Sequence, residues 1–281
     1  MNRKLFPFRQ IGNFQVTALN DGNMSASLNL LSGIDTADAE IIQYNAGIED
    51  PGNIHINCYL IQSRRRTILV DTGTGGLNNM GGMLNINLTA TGISPNDIDT
   101  ILLTHCHPDH IGGLLDTDKR PVYKHAKLFL HPLEAEYWWD DKKLKKASER
   151  GQRNFRLVRE TLDAYANNLR FFSHCEITES ILPVWLPGHT PGHTGFRIDS
   201  DEKSLLIWGD IVHYPHIQLT QPSVSIFFDV DPTLAEETRK KILEQAVREK
   251  LLIAGAHIGP AGFASILMAD SGYHILYSDK Y

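Results

Sequence analysis

Cysteine is scarce in this chain of 281 residues, which contains Cys58, Cys106 and Cys175 and no CxxC pair. An odd number of widely spaced thiols favours neither a disulfide framework nor a cysteine-based zinc site, and it fits a reducing compartment. Long apolar runs are missing too. No uninterrupted apolar stretch is long enough to predict a membrane span, and residues 1–16 lack the apolar segment of a secretory signal. These absences predict a soluble, cytoplasmic protein.

A long basic run is also absent. The net charge is −6, and charges of both signs are spread along the chain. This argues against a surface that neutralises nucleic-acid phosphates, whereas a small-molecule substrate is compatible with it. The chain is 42% hydrophobic, and no repeat or linker divides it, so we predict one domain over residues 1–281. The oligomeric state stays open, with a homodimer among the options.

Short strands and turns are predicted for much of the chain. The alternating run Phe14–Leu19 meets Asn20-Asp21-Gly22, which predicts a turn. Residues 27–50 are polar and without pattern, which predicts a long surface excursion. In the last third, strands are expected over residues 181–186, 195–198, 205–208 and 251–254, with a helix over Pro232–Glu249.

The segment of residues 132–170 is predicted to be helical. Pro132 opens a helix that runs through Trp139, and the charged residues beyond it carry apolar side chains at helical spacing. The favoured interpretation is a solvated amphipathic helix packed on the body. The alternative is a helical flap that brings Trp138, Trp139 or Phe155 into a pocket. The two are compatible.

The most informative residues follow the apolar stretch 101–103, where three imidazoles and a carboxylate occur in quick succession: His105, His107, Asp109 and His110. Residues two apart in an extended segment face the same side. Pro108 then turns the chain, which aims the next pair of side chains at a second point. Four ligand-type side chains in two pairs suit two cations better than one.

Three further ligand candidates stand at the ends of predicted strands, next to glycine: His189, Asp210 and His257. Glycine lets the backbone approach a site closely. Together with the first cluster they predict a centre for two divalent metal ions. Imidazole and carboxylate ligands favour zinc and are compatible with manganese, iron or cobalt.

The combined pattern, from Asp71-Thr72-Gly73 to His257, resembles the metallo-β-lactamase-fold hydrolase superfamily. The resemblance implies an α+β fold, a four-layer αββα sandwich of two mixed β-sheets flanked by helices. It also implies roles for the ligands. The first ion would be held by His105, His107 and His189, and the second by Asp109, His110 and His257. Asp210 would bridge the two ions, and Asp71 would orient a ligand imidazole through its far nitrogen.

Within the superfamily, the chain is most similar to the branch of methyl parathion hydrolase and its dihydrocoumarin- and lactone-hydrolysing relatives. The similarity rests on residues 134–138, 188–194 and 221–231. It implies hydrolysis of an ester or lactone by a metal-bridging hydroxide, with Asp109 and Asp210 in the catalytic centre and phosphotriesters as side substrates. Acyl-homoserine lactonases share the ligand set but carry a tyrosine where His213 stands. His213 is therefore our candidate for protonating the leaving group.

A substrate pocket is expected around four side chains: Trp138, Phe155, His213 and Tyr214. Trp139 and Phe228 are further candidates for its apolar wall, but core packing is the favoured interpretation for these two. His193 is expected to support a ligand, His216 is a weaker candidate at the pocket rim, and the remaining histidines are expected to be structural or on the surface: His55, His125, His131, His174 and His274.

Three alternative functions remain. The first is an N-acyl homoserine lactonase that quenches quorum sensing. The second is a thioester hydrolase of the glyoxalase II kind, although its C-terminal helical domain has no evident counterpart. The third is a non-catalytic metal-binding or sensor module.

Overall fold

The computed structural model describes residues 6–172, 177, 180–270 and 272–278; His174 and Cys175 lie outside this part. Its strands are β1 (Phe8–Ile11), β2 (Phe14–Ser25), β3 (Leu31–Ser32), β4 (Asn53–Gln62), β5 (Thr67–Val70), β6 (Thr100–Leu102), β7 (Lys127–Leu130), β8 (Leu169–Phe171), β9 (Ile181–Trp185), β10 (Thr194–Ser200), β11 (Lys203–Ile207), β12 (Ser225–Ile226), β13 (Leu252–Ala254), β14 (Phe263–Ala269) and β15 (Gly272–Tyr277). Its α-helices are α1 (Thr36–Asn45), α2 (Leu84–Ala90), α3 (Pro108–Ile111), α4 (Pro132–Trp139), α5 (Asp141–Lys146), α6 (Glu149–Ala164), α7 (Pro215–Gln218) and α8 (Pro232–Arg248).

Two large mixed sheets form the middle of the molecule. In the described residues, one has seven strands in the order β1-β2-β4-β5-β6-β7-β8, and the other has six in the order β15-β14-β13-β11-β10-β9. One core lies between the sheets and includes Tyr59, Ile61 and Phe196. Two further cores lie on the outer faces, one under α2, α4 and α6 and the other under α8. The order of layers is therefore αββα, as the resemblance to the superfamily implied.

The alternation of side chains along β4 shows why both faces of the sheet are covered. Cys58 and Leu60 enter the outer core under the helices, whereas Tyr59 and Ile61 enter the core between the sheets. Successive strand residues point to opposite faces, so an apolar run of this kind is stable only between two layers.

Parallel strand pairs place the loops of interest at one edge. In the first sheet β5 runs parallel to β6, and in the second β11 runs parallel to β13. The carboxyl ends of parallel neighbours lie at the same edge, so the segments that follow β5, β6, β11 and β13 gather there. These segments contain Asp71, the cluster of residues 105–110, Asp210 and His257.

Two local predictions were wrong. Asn20-Asp21-Gly22 is not a turn: β2 continues to Ser25 and carries a β-bulge between Asn20 and Gly22. Such a bulge re-aims one side chain without ending the strand. The segment of residues 27–50 is not an irregular excursion, because it contains α1, whose buried side chains are Ala39 and Gln43. Its small and polar buried face gives little apolar periodicity to detect.

The bulged Asp21 side chain organises a neighbouring loop. Its buried carboxylate accepts hydrogen bonds from the backbone of Thr74, Gly82 and Leu84 at 2.9–3.0 Å. The bulge therefore fixes the segment of residues 72–84, which supplies part of the cavity wall described below.

The predicted helical segment forms α4, α5 and α6. Helix α6 buries Phe155, Val158, Thr161 and Leu162 and is capped by the Ser148 side chain, which accepts from the Gly151 N–H. It packs on the body as an amphipathic helix and at the same time borders the cavity over the predicted centre. Among the described residues, no helix is both long and apolar enough to cross a bilayer.

Candidate metal centre

The fold brings all seven predicted ligand side chains together. His105, His107 and His189 form one group and Asp109, His110, Asp210 and His257 another, with the ligand atoms of each group within 4.8 Å of one another. In the first group, His107 Nδ1 lies 3.0 Å from His105 Nε2 and 2.9 Å from His189 Nε2. In the second group, Asp109 Oδ2 lies 3.4 Å from His110 Nε2 and 3.5 Å from His257 Nε2.

Asp210 lies between the two groups. Its Oδ2 is 3.4 Å from His189 Nε2 and 3.3 Å from His257 Nε2, while its Oδ1 is 3.3 Å from His110 Nε2. One carboxylate thus faces nitrogens of both groups. This is the position from which a carboxylate can serve two cations.

Backbone contacts hold Asp210 in this position. Its N–H donates to His193 Nε2 at 2.9 Å, and His193 Nδ1 donates to the Leu186 carbonyl at 2.9 Å. Gly209 has φ +60°, and a Cβ there would lie 2.5 Å from His193 Nε2. A side chain at position 209 would therefore separate His193 from Asp210. His193 supports a ligand, as its place in the sequence suggested.

Partners behind the imidazoles turn their free nitrogens inward. His110 Nδ1 lies 2.8 Å from Asp71 Oδ2, and His257 Nδ1 lies 2.7 Å from the His55 carbonyl oxygen. A neutral imidazole that donates from Nδ1 has its lone pair on Nε2, the nitrogen that faces the cluster.

Asp71 also binds the segment that carries the ligands. It accepts from the backbone N–H and the hydroxyl of Thr104, each at 2.8 Å. Asp71 adopts φ +58°, a left-handed conformation that is uncommon outside glycine and that concentrates at functional sites.

Two buried carboxylates with comparable roles were not singled out from the sequence. Asp229 Oδ1 lies 2.8 Å from His189 Nδ1, as Asp71 does from His110. Glu134 accepts four hydrogen bonds: Oε1 from the Cys106 N–H at 3.0 Å and the Trp138 indole at 2.8 Å, and Oε2 from the Thr190 hydroxyl at 2.7 Å and the Gly192 N–H at 3.1 Å. Both residues lie in stretches that carried the resemblance, but spacing alone does not reveal such long-range contacts.

The protonation of the cluster follows from burial and from its carboxylates. Burial lowers the pKa of His105 and His107 well below the usual value, so these imidazoles are neutral. Burial also opposes protonation of His110, but the carboxylates of Asp210, Asp109 and Asp71 outweigh it and raise the pKa of His110 well above its usual range.

The donor set fits divalent cations. Neutral imidazole nitrogens about 3 Å apart can only repel one another through their lone pairs unless a proton or a cation lies between them. Within the described residues, the buried atoms His110 Nε2 and Asp210 Oδ1 have no hydrogen-bond partner. Nitrogen and carboxylate ligands of this kind suit zinc and neighbouring transition metals.

A cavity of about 570 Å³ opens over the cluster. Trp138 and Phe155 line it, with their rings 4.8 Å apart, and so does His213. His213 Nε2 lies 3.2 Å from Asp210 Oδ2. The predicted pocket residues thus border the predicted centre, with one exception.

The exception is Tyr214, which points away from the cavity. Its hydroxyl donates to the Ala26 carbonyl, and its ring packs with Leu28 and Ile217. Adjacent residues turned in opposite directions explain why His213 borders the cavity and Tyr214 does not. Of the two aromatic side chains for which core packing was favoured, Phe228 packs against the core around Tyr214 and also lines the cavity. Trp139 is 43% exposed and is not in the core.

The remaining predicted positions fit less demanding roles. Cys106 is buried away from the ligand nitrogens, in the core under the helices. His216 does not line the cavity and has Nε2 3.3 Å from the Tyr277 hydroxyl oxygen. His55 acts through its carbonyl oxygen, and the prediction for His174 lies outside the described residues.

Residues 51–257 match the family model of the metallo-beta-lactamase superfamily. The chain belongs to this superfamily. A solved structure of AidC, described as a dizinc quorum-quenching lactonase in complex with a product, superposes with a TM-score of 0.91 at 26% identity and covers 99% of both chains. The predicted fold class and the predicted class of metal-dependent hydrolase are thereby confirmed.

Two curated relatives point to acyl-bond hydrolysis in this superfamily. An atrochrysone carboxyl ACP thioesterase of Passalora fulva is 27% identical over 230 residues, 79% of this chain and 58% of the relative's length. An N-acyl homoserine lactonase of Bacillus thuringiensis is 23% identical over 226 residues, 73% of this chain and 82% of the relative. The narrower assignment to the methyl parathion hydrolase branch stays a prediction.

Proposed function

We propose that this metallo-β-lactamase-superfamily hydrolase cleaves esters and lactones with two divalent cations, zinc being the expected metal. The observation that carries the proposal is the place of Asp210, whose two carboxylate oxygens face nitrogens of both ligand groups at 3.3–3.4 Å. A single closed structural site would need neither the second group nor a shared carboxylate.

The division of ligands follows the two groups. His105, His107 and His189 would hold one cation; Asp109, His110 and His257 would hold the other; and Asp210 would contact both. When bound, a pair of divalent cations makes water nucleophilic near neutral pH and polarises the acyl oxygen. Asp71, Asp229 and the His55 carbonyl keep the imidazole lone pairs directed inward.

Proton transfer to the leaving group is assigned to His213. It borders the cavity, and its Nε2 lies 3.2 Å from Asp210 Oδ2, so it can reach a substrate that contacts the candidate centre. A positioned imidazole contributes roughly 10²–10⁴-fold to such a step. A poor leaving group such as an alkoxide needs this proton more than an activated phenolate does.

The cavity suits a substrate with an apolar part. Trp138, Phe155 and Phe228 form its aromatic wall, and its volume of about 570 Å³ lies in the range of small-molecule sites. The lactonase relative and AidC support lactones, including N-acyl homoserine lactones, as substrates. The thioesterase relative makes acyl thioesters the second candidate. Phosphotriesters are proposed as side substrates.

The test combines metal analysis with a substrate panel. Protein purified without added metal is analysed for bound metals, stripped, reloaded with zinc, and assayed on lactones, aryl esters, thioesters and phosphotriesters. We expect about two equivalents of metal and metal-dependent turnover of lactones or esters. Asp210→Ala should abolish this turnover, whereas Asp163→Asn, which changes an exposed carboxylate on α6, should not. Full turnover by Asp210→Ala would contradict the bridging role.

A further inference from the structure

The cavity over the metal centre carries positive charge at its mouth. Arg150 and Arg153, both exposed side chains of α6, line it together with Asn154 and Leu157. Positions i, i+3, i+4 and i+7 share one face of a helix, so these four residues form a continuous strip along the cavity.

Neither arginine has an ion-pair partner in the part of the chain that the structure describes. Among the described residues, no carboxylate lies within ion-pair distance of Arg150 or Arg153. The other two arginines of α6 face elsewhere and have protein partners: Arg159 pairs with Asp141 at 2.7 Å, and Arg156 donates to Gln152 at 3.3 Å. Of the four arginines of α6, the two on the cavity are those without a polar partner among the described residues, so their N–H groups are available to a ligand.

The stability of α6 does not account for Arg150. Helix dipoles favour anions in the first turn and cations in the last, and Arg150 is the second residue of this helix. Its guanidinium carbon lies 4.6 Å from the centre of the Phe228 ring, which also lines the cavity. A guanidinium stacked in this way still presents its N–H edge, and that edge matches the geometry of a carboxylate.

The acidic residues of the cavity do not balance this charge. Asp109 and Asp210 face the ligand nitrogens, and Asp229 binds His189. The aromatic side chains of the cavity contact both regions: the Trp138 ring lies 5.9 Å from the His107 ring, and the Phe228 ring lies 4.6 Å from the Arg150 guanidinium carbon. Trp138, Phe155 and Phe228 together form the aromatic wall. The protein as a whole carries a net charge of −6, so a positive mouth is a local feature of this cavity.

We infer that the substrate is an ester or lactone that carries an anionic group, such as a carboxylate, separated from the scissile bond by an apolar segment. Arg150 and Arg153 bind the anionic group, the aromatic wall contacts the apolar segment, and the acyl group reaches the metal centre. This inference rests on the proposed hydrolase function and adds the charge of the substrate to it.

The test uses two esters that differ in one terminal group, 4-nitrophenyl hydrogen adipate and 4-nitrophenyl hexanoate. The quantity compared is the ratio of kcat/KM for the anionic ester to kcat/KM for the neutral ester. In Arg150→Gln/Arg153→Gln this ratio should fall about tenfold from the wild-type value, an effect of about 1.4 kcal/mol. The fall should arise in KM for the anionic ester.

Two comparisons separate charge from other effects. Arg156→Gln removes an exposed arginine of the same helix that is not on the cavity, and it should keep the wild-type ratio. Raising the salt concentration to 0.5 M should lower the ratio in the wild-type enzyme and leave it unchanged in the double variant, because exposed charges are screened. Arg150→Lys/Arg153→Lys, which retains the charge, should keep most of the wild-type preference for the anionic ester.

A binding measurement avoids turnover altogether. Titration calorimetry with adipic acid monoanilide and with hexanoic anilide should show that only the anionic amide loses affinity in Arg150→Gln/Arg153→Gln. An unchanged ratio and unchanged affinity in that variant would overturn the inference, and metal-dependent turnover of the neutral ester would leave the hydrolase proposal standing. Wild-type zinc-loaded protein that hydrolyses neither ester would contradict the hydrolase proposal itself.

Discussion

The Nδ1 atom of His189 lies 2.8 Å from Oδ1 of Asp229, a carboxylate 40 positions further along the chain. Burial opposes the ionised form of this carboxyl group, but the hydrogen bond from His189 and nearby positive charge lower the pKa of Asp229 to about 2. Asp229 is therefore ionised at neutral pH and keeps the His189 lone pair on Nε2, which faces His107.

Asp229→Asn should weaken metal binding to the first ligand group. An amide can still accept a hydrogen bond from His189, but it no longer supplies the charge that makes the imidazole a stronger ligand. Loss of such a partner typically costs 10–100-fold in metal affinity. Competition with a chromophoric zinc chelator measures the change, and Asp163→Asn serves as the surface control. Equal affinities in the wild type and Asp229→Asn would show that the contact is not needed for binding.

Glu134→Gln should destabilise the protein and loosen the first ligand group. All four groups that contact Glu134 donate to it, including the Cys106 N–H between two ligands and the Gly192 N–H after His189. The amide N–H of a glutamine would face another buried donor. Such an unsatisfied contact lowers the free energy of unfolding by about 1–3 kcal/mol. Urea unfolding of the metal-free protein measures this cost. The exposed Glu136 on the same helix provides the control Glu136→Gln, which should unfold at the wild-type midpoint.

His213→Gln should slow the hydrolysis of unactivated lactones by about 10²–10⁴-fold and that of 4-nitrophenyl esters far less. The reason is that a nitrophenolate leaves without protonation, whereas an alkoxide does not. His216→Gln is the matched control, because His216 does not line the cavity. An equal loss for both leaving groups would assign His213 a role in binding or in holding Asp210 rather than in proton transfer.

The stability of the metal-free protein should peak near pH 6.5. Burial lowers the pKa of His105 and His107, and it lowers the pKa of His193 to about 3. Below about pH 6.5, the ordinary pKa of histidine, the unfolded chain therefore binds more protons than the folded protein. The stability of the folded protein falls as the pH decreases through this range. Burial also opposes the charged forms of His110 and His257, but nearby carboxylates outweigh it and raise the pKa of both imidazoles. The stability that these two protonated histidines contribute is therefore lost as the pH rises above 6.5.

Urea midpoints measured from pH 5 to pH 9 test both sides of this maximum. Asp210→Asn should flatten the alkaline side, because Asp210 is the carboxylate that contributes most to the raised pKa of His110 and of His257. Zinc should displace the protons from these two imidazoles and should stabilise the protein increasingly as the pH rises. A midpoint that stays constant between pH 6.5 and pH 9 without metal would contradict the expected protonation of His110 and His257.

The candidate metal ligands could be picked out from the sequence because ligand chemistry is local in sequence. His105, His107, Asp109 and His110 are crowded into six residues, and the glycines before His189 and Asp210 mark close backbone approaches. Elements without strong apolar periodicity were predicted less well, and α1 was missed for that reason. The bulge at Asp21 was missed because Asn20-Asp21-Gly22 has the composition of a turn.

By itself the sequence determined which side chains are candidate metal ligands, since ligand chemistry follows from residue type and short-range spacing. The superfamily and the layered fold were expected from the resemblance that this pattern carries. Only the tertiary structure decided which side chains hydrogen-bond to the candidate ligands and which line the cavity over them. Asp229 reaches His189, Glu134 binds Thr190 from 56 positions away, and Arg150 stacks on Phe228 over the cavity. Such contacts depend on how whole layers pack. His213 and Tyr214 are neighbours at a turn, yet their side chains point in opposite directions. No local sequence pattern distinguishes the two.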